Sequence, residues 1–503
     1  MFDISSIVAY VKKRFTIKDV LLLGVAKILY LVTRMYNLKL LPIFTDEGIY
    51  IRWAKVAWHD ASWRFISLTD GKQPLQTWGT IPFLKLFPTD SLLAGRLFAV
   101  FTGMFALLGI FFLLYYLFGK KTAFIGVFLY VFSPYFLFYD RMALVDSGVN
   151  AAFIWIVLFT LLLVNTMRLD VALIYGIVAG AALLTKSSAQ MFLSVAFGAS
   201  FFVFDYKKKK VQGLISYLLL WGVAFVLAQV IYNVQRLSPY MHYVAQKNTT
   251  FVMSFSDFFA HPFEVLFSNL QTIPYYVFSE SGWIIIPFAF GGLFLLFRKN
   301  IRLFFFFSLL LFVPYLGIAA MTRVLFPRYI IFFCSIFTIL TAYVLGRIKN
   351  IRLFIALISL IIGVLIVFQY PMWTDYSKIM FPDTDKGQYV IGPNVGLGMD
   401  EIIAFAREKS KEKPVRIIAE GDFGLTGDML SVFVNEGERI YIQGYWPLNL
   451  AALQKHQPDL NKEYIYIVTA HELNYPAEWP MKKLREYFKP GNTSAIQLFE
   501  LTK

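Results

Sequence analysis

Thr45-Asp46-Glu47-Gly48-Ile49-Tyr50-Ile51-Arg52-Trp53-Ala54 is the stretch on which the reading of this chain turns. It follows the first long apolar run, residues 18–38, and sets two adjacent carboxylates where a membrane helix hands over to a polar loop. Adjacent acids repel one another and gain nothing from lipid. By itself the pair reads as a solvated helix start, because Asp and Glu favour the first turn of a helix. The surroundings have to decide whether it is more than that.

Working outward, the chain is 58% hydrophobic and only 16% charged, against roughly 25% charged in a soluble protein. It is a polytopic membrane protein. Lys12, Lys13 and Arg14 precede the first apolar run without a small-residue cleavage pattern, so that run is expected to be a retained first span. The single cysteine, Cys334, excludes an internal disulfide. Residues 371–503 hold 15 Lys/Arg and 18 Asp/Glu; subtracting these from 47 and 32 leaves residues 1–370 with 32 basic and 14 acidic residues. The basic excess therefore belongs to the membrane part, where loop charge and anionic lipid account for it and nucleic acid does not.

Apolar runs of about 17–25 residues recur near 18–38, 92–118, 122–139, 147–167, 170–186, 187–204, 211–233, 283–297, 301–320, 327–346 and 351–370, about eleven expected spans. Basic residues in short loops mark the cytoplasmic side. Lys12 to Arg14, Lys120–Lys121, Arg168, Lys207 to Lys210, Arg298–Lys299–Arg302 and Arg347–Lys349–Arg352 all fall on one face if spans alternate. That makes the N-terminus cytoplasmic, in a cell membrane. The opposite face receives residues about 40–91, about 234–282, and the tail from about 371.

The first of these outer segments carries the Asp-Glu pair and a run in which apolar and polar positions mix at helix-like spacing, with Trp53, Trp58 and Trp63 available for the interface. The second reads as short helices lying on the membrane. The tail changes character. Val415 to Ala419, Ile440 to Ile442, Tyr464 to Val468 and Ser494 to Leu501 read as strands, with helical patterns near 400–411, 424–434, 448–456 and 477–487 between them. That alternation predicts a small α/β domain over 371–503, following a transmembrane domain over 1–370. Glu420-Gly421-Asp422-Phe423-Gly424 lacks dinucleotide-binding glycine spacing and reads as a tight turn. The sequons at Asn248 and Asn492 carry no weight.

Ionisable groups at membrane depth are costly and usually functional. Asp46, Glu47, Asp140 and Asp146 fall at the outer ends of spans, and Arg96, Arg141, Lys186, Arg323 and Arg328 fall at the same level. Taken singly, each has an ordinary structural reading. Arg141 can close a hairpin with Asp140 or Asp146, Lys186 can snorkel, Arg328 can anchor a helix at the interface, and Lys72 can sit in a turn. Together they suit a reaction on a lipid phosphate, which needs cations for the phosphate and a carboxylate to take a proton from an acceptor.

Six short segments fall in one order and one membrane phase: Asp46-Glu47; Gln73-Pro74-Leu75 with Trp78; Gly95-Arg96-Leu97; Arg141 with Asp146; Leu184-Thr185-Lys186; and Pro327-Arg328-Tyr329. In this the chain resembles, over about residues 18–346, the protein O-mannosyltransferase and lipid A aminoarabinose transferase superfamily of GT-C membrane glycosyltransferases. The resemblance implies a GT-C fold and an inverting transfer of a hexose or pentose from a polyprenyl-phosphate donor. The acceptor it implies is a protein hydroxyl, lipid or glycan at the outer face. It makes Asp46 the catalytic base, with Glu47 shaping the site and Asp146 orienting acceptor or sugar. It makes Arg96, Arg141, Lys186 and Arg328 ligands of the donor phosphate, with Lys72 and Arg323 as further candidates.

The departures are specific. The family's proline pair is reduced to Gln73-Pro74, and residues 234–282 leave no room for the mannosyltransferases' MIR domain. His59, His242, His261, His456 and His471 share no ligand spacing, so a divalent cation is possible but not indicated. Two other readings compete. A flippase of a lipid-linked sugar would also pool cations near phosphate, but no paired halves are visible. An oligosaccharyltransferase would carry a Trp-Trp-Asp-Tyr-Gly signature, where this chain has only Gly444-Tyr445-Trp446-Pro447.

Overall fold

In a computed structural model describing residues 15–421 and 423–503, a helical membrane bundle leads into a five-stranded α/β unit. The basic cluster Lys12 to Arg14 lies outside the described residues. Several helix starts are written into the sequence. Thr16 and Asp19 form a reciprocal capping box for Ile17–Met35. Asp90 accepts from the Leu93 amide to begin Ser91–Phe118, and Asn300 does the same for Ile301–Met321 through Leu303.

Among the described residues, five helices are long and apolar enough to cross a membrane: Ser91–Phe118, Asp146–Thr166, Tyr206–Leu237, Ile301–Met321 and Ile351–Thr374. Leu266–Glu280 and Ile285–Lys299, bent by 110°, make a sixth if taken as one span. The bend falls where Gly282 and Trp283 both take left-handed backbone, which no α-helix continues through. About eleven spans were expected; Leu169–Thr185, Ala189–Val203 and Phe332–Arg347 are further apolar helices, of 10–17 residues. Leu169–Thr185 has 17 residues, about 26 Å at 1.5 Å per residue, against a hydrocarbon core of about 30 Å. Ile17–Met35 carries Lys18, Asp19, Lys27 and Arg34. Asp146–Thr166 is the most enclosed of the long helices, whereas Ile351–Thr374 presents most of its apolar surface outward.

The tail forms strands β3 (Val415–Glu420), β4 (Ile440–Tyr445), β5 (Tyr464–Thr469), β6 (Met481–Phe488) and β7 (Ala495–Leu501), in the order β4-β3-β5-β7-β6. The first three are parallel, and β7 and β6 close the sheet antiparallel. Residues 477–487 were expected to be helical. In the structure β6 occupies most of that range as an edge strand, with Lys482, Lys483 and Leu484 exposed. An edge strand needs only one paired side and is commonly protected by lysines, so its pattern lacks the alternation that marks a half-buried strand.

The α/β unit does not hang free. β1 (Ile43–Phe44), immediately before Asp46, pairs antiparallel with β2 (Val395–Gly396). The helix Thr45–His59 then packs on the helix Thr426–Phe433. A Cβ at Gly48 would lie 3.0 Å from the backbone nitrogen of Met429, so only glycine permits this approach. Arg52 pairs with Asp428 at 2.8 Å, and the Lys55 ammonium donates to the carbonyls of Ser431 and Val434. Ile43 and Ile51 belong to the same apolar cluster as Met399, Ile417 and Met429. The helix that presents Asp46 is therefore part of the α/β unit's core.

Candidate active site

Asp46 sits in the first turn of Thr45–His59, where its carboxylate meets two cations. Arg328 Nη2 lies 2.9 Å from Oδ2, and Lys72 Nζ lies 3.4 Å from Oδ1. Burial pushes this carboxyl up, but the charges of Lys72 and Arg328 outweigh it and hold the group well below the usual carboxylate range. Lys72 follows Gly71, whose left-handed φ of +65° turns the chain back toward Asp46. Its ammonium lies over the rings of Tyr50 and Trp53, at 5.1 and 5.7 Å. It also approaches Asp70 at 3.6 Å, and Asp70 in turn pairs with Lys247 at 2.6 Å.

A second pair faces the first. Lys186 Nζ is 3.3 Å from Asp146 Oδ1 and lies 4.1 Å above the Tyr329 ring. Between the pairs is a cavity of about 590 Å³. Its polar lining residues include Asp46, Lys72, Gln73, Asp146, Lys186, Lys247 and Arg328. Its apolar lining residues include Met191, Phe251, Ile318, Met321 and Leu325. Cations beside apolar lining residues can bind a phosphate carrying a lipid chain, and the carboxylate between them can accept a proton from a second substrate.

The structure brings five of the nine expected residues to this cavity: Asp46, Lys72, Asp146, Lys186 and Arg328. The other four lie elsewhere. Arg96 is fully buried against Glu47, with Nε–Oε1 at 2.9 Å and Nη2–Oε2 at 2.7 Å, and donates to the carbonyls of Leu38, Leu41 and Pro42. Glu47 also accepts from the amides of Phe44 and Ala143, so it ties the Asp46 helix to its neighbours. Arg141 spends its guanidinium on the carbonyls of Met372, Tyr36 and Asn37, pinning the end of Ile351–Thr374. It closes no hairpin with Asp140 or Asp146; Asp140 pairs instead with Arg34 at 3.3 Å. Arg323 pairs with Asp257 at 3.1 Å on an exposed edge.

Sequence reasoning gave no site role to Lys247, Asp70 or Ser187, and met Gln73 only within a motif and Asn248 only as a sequon. Lys247 lies in His242–Phe251, within an outer segment read only as short helices on the membrane surface. Among the described residues, no group of three or more His, Cys, Asp or Glu side chains converges.

The family model described as dolichyl-phosphate-mannose-protein mannosyltransferase matches residues 72–232. No curated protein sequence matches the chain. Among solved structures, ArnT from Cupriavidus metallidurans in the apo state aligns with a TM-score of 0.59 and 15% identity, covering 95% of this chain and 97% of that one. ArnT bound to undecaprenyl phosphate aligns with a TM-score of 0.53 and 14% identity over the same shares. The archaeal oligosaccharyltransferase AglB from Archaeoglobus fulgidus gives a TM-score of 0.47 and 12% identity, covering 91% and 70%. The chain thus has the fold of the GT-C membrane glycosyltransferases.

Proposed function

We propose that this protein is an inverting glycosyltransferase that moves a sugar from a polyprenyl-phosphate donor to an acceptor at the outer face of the membrane. The observation that carries the reading is the cavity itself: one carboxylate between two cations, a second ion pair opposite, and apolar lining residues alongside. ArnT, similar over nearly its whole length, binds undecaprenyl phosphate.

The chemistry follows from the charges. Lys72, Lys186, Lys247 and Arg328 neutralise the phosphate, which makes it a competent leaving group. Asp46 takes the acceptor's proton as the acceptor oxygen bonds to the anomeric carbon, and the bond from that carbon to the phosphate oxygen breaks with its electron pair. Asp146, fixed by Lys186, holds the acceptor or the sugar. The outer-face placement is supported by the opposite ends of the helices. There Lys120 pairs with Asp19 at 2.8 Å, Lys121 donates to the Ile348 carbonyl, and Lys209 donates to the carbonyls of Val164 and Asn165. These basic residues gather away from the cavity, as a cytoplasmic face requires.

The test is to incubate the purified protein with labelled polyprenyl-phosphate sugars and membrane extract, and to compare it with Asp46→Asn. Wild type should form a glycosidic product and Asp46→Asn none, with both proteins eluting as folded species. Lipid movement without product, or full activity in Asp46→Asn, overturns the reading.

A further inference from the structure

We infer that the sugar on the donor is electroneutral and that a wall built from Gln73, Ser187 and Asn248 reads its hydroxyls. This deepens the glycosyltransferase reading and rests on it. The first argument is charge. Among the described residues, the cavity is lined by two carboxylates, and neither is free: Asp46 is held by Lys72 and Arg328, and Asp146 by Lys186. The nearest further acid, Asp70, is shared between Lys72 and Lys247. An amino sugar would bring its ammonium among four cations, and the one carboxylate that the phosphate would release from them, Asp46, is the base that the transfer needs. A uronic acid would compete with the phosphate for those same cations.

The second argument is placement. Gln73 Nε2 donates to Ser187 Oγ at 2.6 Å, and Asn248 Nδ2 donates to the same oxygen at 3.3 Å. Three separate segments, the turn after Gly71, the link between two helices and the helix His242–Phe251, thus meet in one uncharged polar patch that lines the cavity. Gln73 directly follows Lys72, and Ser187 directly follows Lys186. The patch therefore adjoins cations that this reading gives to the phosphate, where a sugar esterified to that phosphate would lie. Each amide engages one N–H in the triad and keeps a second donor and a carbonyl. The Ser188 hydroxyl beside them is buried with no protein partner. Unfilled donors and acceptors without net charge are what neutral hydroxyls require.

The experiment measures equilibrium binding to the full chain in nanodiscs of four lipids: undecaprenyl phosphate and its mannose, 4-amino-4-deoxyarabinose and glucuronate conjugates. The mannose conjugate should bind at least about tenfold tighter than either charged conjugate. The deficit of the amino sugar should shrink as pH rises past the amine's pKa. In Gln73→Ala the advantage of the mannose conjugate over bare undecaprenyl phosphate should fall at least about fivefold, while affinity for the bare lipid stays within about twofold. Equal or tighter binding of the amino sugar or the uronate at neutral pH overturns the inference. So does an equal loss for bare and sugar-bearing lipid in Gln73→Ala, or no loss for either. Failure to bind any of the four lipids strikes the glycosyltransferase reading instead.

Discussion

Replacing Arg96 with alanine separates a structural cation from the phosphate-binding ones. The Arg96 guanidinium is fully buried, makes a two-pronged contact with Glu47 and donates to three backbone carbonyls. Arg96→Ala strands a buried carboxylate that keeps only the amides of Phe44 and Ala143, and leaves the three carbonyls unpaired. Breaking one side of a buried ion pair costs about 3–5 kcal/mol, a large share of the roughly 5–15 kcal/mol that holds a typical protein folded. The double variant Arg96→Met/Glu47→Leu removes both charges and should recover part of that loss, since apolar groups of similar volume can replace a buried pair. The assay is thermal unfolding in detergent alongside undecaprenyl phosphate binding to the folded fraction. Arg96→Ala should unfold at a much lower temperature, the double variant should recover part of the difference, and lipid affinity should stay near wild type in both. A well-folded Arg96→Ala protein with strongly weakened lipid binding refutes the reasoning and returns Arg96 to the phosphate site.

Two further outcomes are expected. Asp385, in the link to the α/β unit, is 1% exposed and accepts from the Tyr139 hydroxyl at 2.6 Å. Burial pushes its carboxyl up from 3.8 to about 6. The folded state thus holds a proton that the unfolded chain releases first, so stability is full below about pH 4 and falls as pH rises to about 6. Wild type should therefore melt higher at pH 5 than at pH 7.5, and Asp385→Asn should flatten that difference; unchanged pH dependence in the variant counts against it. Gly48→Val should separate the α/β unit from the Asp46 helix, because even a Cβ would meet the Met429 backbone at 3.0 Å. Protease should then cut between residues 374 and 399 far faster than in wild type, and an unchanged cleavage rate would show that the contact yields easily.

The sequence displayed position along a helix better than helix azimuth. Gly95-Arg96-Leu97 and Pro327-Arg328-Tyr329 place two arginines at one level, yet Arg328 reaches Asp46 and Arg96 turns toward the Leu38–Pro42 bend. Position along a span is readable from hydropathy, whereas which side of the helix faces a cavity depends on packing partners hundreds of residues away. Glu47 illustrates the same limit: adjacent to Asp46, it points about 100° around the helix and so meets Arg96 in the interior. The parallel strands β3 and β5 were legible because both faces are buried and their residues run Val-Arg-Ile-Ile-Ala and Tyr-Ile-Tyr-Ile-Val. β6, half paired and lysine-rich, was not. The docking of the α/β unit on the Asp46 helix left only one trace, Gly48, and a lone glycine after two acids has many ordinary explanations.

The ion pairs around Asp46 also bear on the order in which substrates act. Without a donor, Lys72 and Arg328 stabilise the carboxylate so well that it is a poor base. A lipid phosphate entering the cavity competes for those same two cations, with charge-assisted bonds at least as strong as those it replaces. As they turn to the phosphate, Asp46 loses the charges that depress it, while its burial, which favours the protonated form, remains. Its affinity for a proton therefore rises only once the leaving group is in place. The acceptor is deprotonated when a sugar is there to receive it, and the empty enzyme has no strong base to present to water. On this reasoning Arg328→Ala should weaken donor binding and also uncouple the two events, leaving a more basic Asp46 before any donor arrives.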